Sequence, residues 1–380
     1  MTISFAASHR STLGIEWEVA IVDRHSGNLA NVADVVLAEL GGSDGTAHPQ
    51  ITGELLRNTV ELVSGVHTTV RSAVADLRNQ LSQVREITDS LDMDLICSGT
   101  HPFSQWYDQV ITDKERYHRL IDRTQWWGRN MMIWGVHVHV GIERRDKILR
   151  ILNSLLNYYP HLQALSASSP FWGGANTGYA SNRALMFQQL PTAGLPPQLQ
   201  AWTDYEEYVD DMMRTGVIND HTEVRWDIRP SPQWGTLEMR ACDTLSSAEE
   251  IGAVAALIQC LVEHLSRQLD AGDDLPVMQP WYVRENKWRA ARYGLDAEII
   301  LDAAGTERPV TEDIRHLLIM LTPIAEQLDC AAELAEVELI LSGGASYQRQ
   351  LHTASRNDGD LTAVVRALAQ ELRDGVTRSP

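Results

Sequence analysis

Apolar and polar residues alternate with period two in six stretches, at about residues 12–23, 55–63, 94–98, 135–142, 223–229 and 235–241, and each predicts a strand. Between and after these stretches the apolar spacing changes to three and four. Val70, Val74, Leu77, Leu81, Val84, Ile87 and Leu91 form one stripe along 67–91, the pattern of a long helix packed on a core or along a dimer seam. The same spacing predicts helices at about 113–125, 146–168, 202–214, 246–269 and 310–341, with a last one near 360–373. Strands separated by long helical insertions, with no strict βαβ alternation and an almost purely helical C-terminal third, point to an α+β fold rather than a doubly wound sheet. No Pro/Gly/Ser-rich linker or repeat divides the chain, so 1–380 is read as a single domain.

The strands are informative for what they carry opposite their apolar faces. In the first, Ile15, Trp17, Val19 and Ile21 share one face and Glu16 and Glu18 the other. Glu61 sits between apolar neighbours in the second, with Glu54 at its start, and in the fourth His137 and His139 oppose Val136, Val138, Val140 and Ile142. A hairpin is plausible across Pro230-Ser231-Pro232-Gln233-Trp234-Gly235; it places Arg225, Asp227 and Arg229 on one strand face and Glu238 and Arg240 on the facing strand. Surface decoration would mix Thr, Ser, Gln and Lys into these faces. A polar face of carboxylate, imidazole and guanidinium fits a sheet that lines a cavity.

Crowded carboxylates repel one another, and the usual remedy is a bound cation. Glu16, Glu18, Glu61 and Glu238 make an oxygen-rich site suited to Mg²⁺ or Mn²⁺, and a histidine from the 137/139 pair tilts it toward Mn²⁺. Arginines facing the same cavity make sense if an anion lies between metal and guanidinium.

Composition narrows the classes. With 32 Lys+Arg against 51 Asp+Glu and a net charge of −19, the chain lacks the basic stripe of a nucleic-acid binder and should avoid anionic membranes. Only three of the basic residues are lysine (Lys114, Lys147, Lys287). No run approaches the ~20 apolar residues of a membrane helix, and residues 1–5 lack the marks of a signal peptide, so a cytoplasmic location is expected. The four cysteines are scattered, with no CxxC pair, and read as reduced, buried thiols. Neither GxxxxGK[ST] nor GxGxxG occurs, which disfavours P-loop and Rossmann nucleotide sites.

Several motifs in order resemble the ATP-dependent carboxylate-amine ligase family, glutamate-cysteine ligase type 2, of the glutamine synthetase-like superfamily. They are Gly14-Ile15-Glu16-Trp17-Glu18, Glu54-Leu55-Leu56 to Glu61, Ser98-Gly99-Thr100-His101-Pro102-Phe103, Gly135-Val136-His137-Val138-His139-Val140-Gly141, Ser168-Ser169-Pro170-Phe171-Trp172, Trp226-Asp227-Ile228-Arg229-Pro230, Gly235-Thr236-Leu237-Glu238-Met239-Arg240 and 285–294. The resemblance implies an antiparallel, funnel-shaped sheet backed by helices, with ATP at one end and a substrate carboxylate at the other. It implies metal ligation by Glu16, Glu18, Glu61, a strand histidine and Glu238, with His139 the first choice over His137. Arg240 would stabilise the transferring phosphoryl group, and Arg183 and Arg229 resemble positions near phosphate or substrate. His101, Lys287 and Arg289, from matching motifs, are further candidates for ATP or substrate binding, although His101 may equally close a turn and the other two form a charged helix face.

The resemblance and the chemistry of amide formation together imply that ATP, with Mg²⁺ or Mn²⁺, activates a carboxylate as an acyl phosphate. An amine then attacks, with Glu54 a candidate base. Glutamate and cysteine are the implied substrates and a homodimer the implied assembly. A metal hydrolase built on the HxH strand, or a non-catalytic nucleotide or amino acid sensor, are the competing readings.

Overall fold

The computed structural model describes residues 2–42 and 46–376. Its strands are β1 (Leu13–Asp23), β2 (Ile51–Gly53), β3 (Thr59–Val63), β4 (Met93–Ile96), β5 (Gly135–Gly141), the short hairpin β6 (Phe171–Trp172) and β7 (Ala175–Asn176), β8 (Ile228–Ser231), β9 (Thr236–Asp243), and the pair β10 (Glu298–Ile300) and β11 (Glu307–Pro309). The helices are α1 (Ala33–Leu40), α2 (Val70–Ser90), α3 (Glu115–Thr124), α4 (Trp126–Arg129), α5 (Arg145–Leu155), α6 (Tyr159–Ser166), α7 (Asn182–Phe187), α8 (Trp202–Arg214), α9 (Ala248–Ala271), α10 (Pro280–Tyr293), α11 (Val310–Gln327), α12 (Ala331–Gly343), α13 (Ser346–Arg356) and α14 (Leu361–Asp374).

One antiparallel sheet in the order β2-β3-β1-β5-β9-β8, with β4 pairing the C-terminal half of β1, organises the molecule. The α+β expectation holds, with the helices behind the sheet. Period-two alternation does the sorting: Ile15, Trp17, Val19, Val60, Leu62, Val136, Val138, Val140, Leu237 and Met239 are all buried on one face. That face packs on helices, among them α9, which is apolar almost all round and correspondingly buried along most of its length. Ser247 caps the start of α9 by accepting from the Glu250 amide (3.2 Å), and Gly272, at φ 87°, ends it in the left-handed region.

The stripe on α2 is real, but Val70, Val74, Leu77, Leu81 and Val84 are covered by this chain's own sheet and α9. It is therefore not a dimer seam. Other boundaries move for local reasons. The stretch 146–168 breaks at a 3-10 turn, Leu156–Tyr158, just before Pro160 opens α6. The stretch 310–341 splits between α11 and α12, where Asp329 takes φ 53°. Residues 223–227 are not a strand: the Arg225 amide donates to the Thr192 hydroxyl (3.0 Å) and the Asp227 amide to the Gly194 carbonyl (2.8 Å), and regular pairing starts at Ile228. Strand β2 and helices α1, α10 and α13 lie outside the predicted elements, as does the β10–β11 pair within the C-terminal third read as almost purely helical.

Among the described residues no helix is long and apolar enough to cross a membrane. The four cysteines are buried and unbridged, as expected. Leu77 is fully buried between the sheet and α9. Leu77→Ala should cost ~2–5 kcal/mol in urea unfolding, whereas a loss below ~1 kcal/mol would show that α2 does not close this core.

Candidate active site

The register of the sheet brings the charged residues together from distant parts of the chain. Glu16 lies opposite His137, Glu18 opposite Glu61, His139 opposite Glu238, and Glu238 opposite Arg229. Between Val136↔Cys242 and Val138↔Met239, β5 advances two residues while β9 advances three, so a bulge falls at Arg240–Ala241. On its other edge β9 keeps the β8 register, and the Arg240 amide donates to the Asp227 carbonyl (2.8 Å) just ahead of β8.

Glu16 is the hub of the imidazoles: it bonds His137 Nδ1 (2.7 Å) and His139 Nε2 (3.2 Å). His139 Nδ1 is taken by the Thr236 hydroxyl (2.9 Å). Arg229 Nε donates to Glu238 Oε2 (2.7 Å), and Arg240 donates to the other Glu238 oxygen. Glu18 accepts from the Gly135 amide, and Glu61 from the Thr52 hydroxyl (3.1 Å).

These environments divide the carboxylates. Burial acts to raise Glu16, but the hydrogen bonds from His137 and His139 outweigh it and hold it well below the usual range. Burial likewise opposes ionisation of Glu238, and Arg229 and Arg240 overcome it. Glu18 has no such pair; burial and the Glu54 charge push it up to about 7. Burial, followed by repulsion from Glu54, Glu16 and Glu18, raises Glu61 well above its normal value. His137 is pushed down to about 4 by burial and by the Arg240 charge, so it is neutral at pH 7. His139 moves the other way, because Glu238 and Glu16 outweigh its burial.

A divalent cation fits this donor set. Glu16, His137 and Glu238 offer ligand atoms within 4.8 Å of one another. With Nδ1 bonded to Glu16, the lone pair of neutral His137 is on Nε2, which is buried and has no hydrogen-bond partner. His139, the first choice from the sequence, has both ring nitrogens engaged and falls outside that group.

The sheet residues face a cavity of about 930 Å³ that includes Glu16, Glu18, Glu54, Glu61, His137 and Arg240 in its wall. Arg229 lines it as well. Glu54 accepts from its neighbour's amide on Leu55 (3.0 Å) and from the Tyr117 hydroxyl (3.4 Å). The sequence placed a helix at 113–125 but no site residue on it; α3 covers the cavity with Arg116, Tyr117, Arg119 and Arg123, and the three- and four-residue steps between the arginines were a readable sign of one helical face.

Four candidates stand elsewhere. His101 is buried, with Nδ1 accepting from the Phe103 (3.2 Å) and Ser104 (2.9 Å) amides and Nε2 donating to the Gly27 carbonyl (2.9 Å), so it closes a turn as a neutral ring. Lys287 is buried against Asp227 (2.7 Å) in the wall of a second cavity, between α10 and the 193–198 segment. Arg289 pairs with Glu285 (2.9 Å) and Glu307 (2.6 Å) on an outer helix face. Arg183 is buried behind the bulge, donating to the Arg240 carbonyl at 3.4 Å, and does not line the cavity.

Antiparallel pairing thus gathers carboxylates, imidazoles and guanidiniums from distant parts of the chain onto one polar face. The profile of glutamate-cysteine ligase family 2 matches residues 12–367, and the chain belongs to that family as an enzyme of glutamate-cysteine ligase type. A provisionally named glutamate-cysteine ligase 2 of Leifsonia xyli subsp. xyli is 64% identical over 374 residues, covering 98% of this chain and 99% of the relative. Its counterpart in Mycobacterium tuberculosis is 58% identical over 370 residues, 97% of each. Among solved structures, glutamate-cysteine ligase from Francisella tularensis in complex with AMP shares the fold at TM-score 0.69 and 15% identity, over 97% of this chain and 90% of that one. A bifunctional glutathione synthetase from Pasteurella multocida does so at TM-score 0.68 and 15% identity, over 95% and 52%.

Burial pushes His101 down to about 3. The unfolded chain therefore binds a proton below pH ~6.5 that the folded chain refuses, and this contribution to stability is lost as pH falls, by up to ~1.4 kcal/mol per pH unit. Urea unfolding from pH 6.5 to 4.5 should show a shallower loss in His101→Asn than in the parent chain. Equal slopes would place the ring in a solvated site.

Proposed function

We propose that this enzyme joins a glutamate carboxylate to the amine of cysteine at the expense of ATP, through an acyl phosphate. The observation that carries the reading is Glu238, buried just behind the cavity wall, ionised between Arg229 and Arg240 and grouped with Glu16 and neutral His137, which line the cavity. Glu16, His137 and Glu238 would hold one divalent cation, and Glu18 and Glu61 a second. Such cations neutralise and orient a triphosphate.

Arg240 sits where a guanidinium can take the charge of a phosphoryl group in transit. The γ-phosphoryl group leaves ADP and bonds to a carboxylate oxygen of the first substrate. The amine nitrogen then attacks the acyl carbon, inorganic phosphate departs, and Glu54 accepts the proton the amine sheds. Arg183, behind the bulge, supports the carbonyl of Arg240 rather than touching phosphate.

Purified protein with ATP and Mg²⁺ or Mn²⁺ should release ADP only when both amino acids are present, with a product of γ-glutamylcysteine mass. ADP release that ignores the amino acids, or none with any amino acid pair, would sink the reading. Glu238→Gln and Arg240→Ala should each lower substrate-dependent ADP formation by about 100-fold or more while the melting curve stays cooperative. Retained turnover in either refutes the assigned site.

The choice between imidazoles has its own readout. His137→Asn should weaken Mn²⁺ binding, followed by electron paramagnetic resonance without nucleotide, by about 10-fold or more, and His139→Asn by less. The reverse order would assign the ligand to His139.

A further inference from the structure

Arg229 and Arg240 are both committed to Glu238 and Arg119 to Glu115, while Arg116, Arg123 and Arg225 in the same cavity wall form no ion pair among the described residues; Arg116 is held by the Tyr117 hydroxyl, which leaves Arg123 and Arg225. Arg225 donates to a single backbone carbonyl, that of Glu223 (3.0 Å), and forms no ion pair among the described residues. Arg123, reaching in from α3, donates to the Val217 carbonyl and likewise forms no ion pair there. Arg225, Arg123, Arg229 and Arg240 all line this end of the cavity. Burial lowers the pKa of Arg225 and the charges of Arg240, Arg229 and Arg123 add to the effect, while the nearby Glu223 charge opposes it without forming an ion pair. An exposed arginine without a partner is ordinary. A half-buried one among three like charges, with Glu223 near but not paired to it, is costly unless a further anion joins them.

The position is built rather than incidental. Val224 and Trp226, flanking Arg225, are buried at 1% and 2% exposure. The Arg225 amide is held by the Thr192 hydroxyl (3.0 Å) and the Asp227 amide by the Gly194 carbonyl (2.8 Å). The guanidinium therefore meets a ligand from a fixed backbone, with little ordering left to do on binding.

We propose that Arg225 and Arg123 form a carboxylate subsite that holds the α-carboxylate of an amino acid substrate, the carboxylate that must not react. This rests on the ligase reading given above. A polyphosphate is drawn to the carboxylate-rich part of the cavity through its cations, and Arg240 serves the group in transit. The remaining guanidiniums suit a planar, bidentate anion. Pinning an α-carboxylate there keeps it out of the phosphoryl path, which makes the subsite a determinant of which carboxylate is activated.

The two amino acids are separated by pairing each with its analogue that lacks the α-carboxylate: L-glutamate with 4-aminobutanoate, and L-cysteine with cysteamine. Steady-state kinetics would compare the parent enzyme with Arg225→Gln, Arg225→Lys and Arg123→Gln. In the two glutamine variants the KM of one amino acid should rise about 10- to 100-fold, and its advantage over its analogue should collapse, with the KM of ATP unchanged. Arg225→Lys should recover part of the loss. The affected pair identifies whose carboxylate is held.

A rise in the KM of ATP alone would make this a phosphate site and overturn the proposal, as would an undiminished preference for both full amino acids. Where the parent enzyme fails to couple glutamate to cysteine, the ligase reading fails separately. Calorimetric titration of each amino acid and each analogue then reads the same preference without turnover, and a parent protein that does not distinguish either pair overturns the subsite. Arg123→Gln, on an exposed helix face, keeps the test intact if Arg225→Gln lowers the melting temperature.

Discussion

One face of a single sheet has to hold at least six ionisable groups while its other face forms the core of the molecule. Period two leaves no slack between those jobs. A slip of β1 by one residue against β5 would send Glu16 and Glu18 among Val138, Leu62 and α9, and would bring Ile15 and Trp17 into the cavity. The apolar burial that stabilises the fold is thus the same constraint that sets the geometry of the site. This accounts for a polar face of ionisable groups carried by strands whose alternate residues are at most 2% exposed.

The second constraint is charge. Glu16 and Glu238 are stabilised as anions by neighbours within the fold, two imidazoles for the first and two guanidiniums for the second. Glu18 and Glu61 have only a backbone amide and a threonine hydroxyl, and their ionisation is opposed. The two halves are complementary: carboxylates prevail in one and guanidiniums in the other, around Arg225. A divalent cation and a substrate anion, the ligands of the proposed reaction, would offset both excesses at once.

What was legible in the sequence follows from the range of the forces involved. Face parity is local, so Glu16, Glu18, Glu61, His137, His139 and Glu238 could be placed on one side of a sheet before any tertiary contact was known. Helical periodicity is local too, and α2, α8, α9 and α14 lie close to their predicted bounds. Strand β2 was too short to alternate, and the 223–227 segment alternates but is captured by Thr192 and Gly194 from outside the sheet. His101, Lys287 and Arg289 belong to motifs as recognisable as the others, yet motif membership does not say which way a side chain points. His101 finds two amides and a carbonyl, Lys287 finds Asp227, and each is consumed by structure. Conversely Arg123 and Arg225 were visible as charges, but their lack of carboxylate partners is a tertiary fact.

The bulge on β9 shows how such structural residues still bear on chemistry. An extra residue at Arg240–Ala241 bends β9 where it faces β5, while its other edge carries the β8 register one residue past Ile228 through the Arg240 amide. Asp227 supplies its carbonyl to that amide while its carboxylate is held by Lys287 from α10. Arg183 supplies its guanidinium to the Arg240 carbonyl and lies 4.0 Å from Asp243. A β-carbon on Gly135 would come within 2.1 Å of that guanidinium, so the glycine that opens β5 is what lets Arg183 reach the bulge. Lys287 and Arg183, proposed from the sequence as ligand contacts, thus act on Arg240 through its backbone. The Arg240 side chain is fixed on the cavity wall by buried groups that lie behind it.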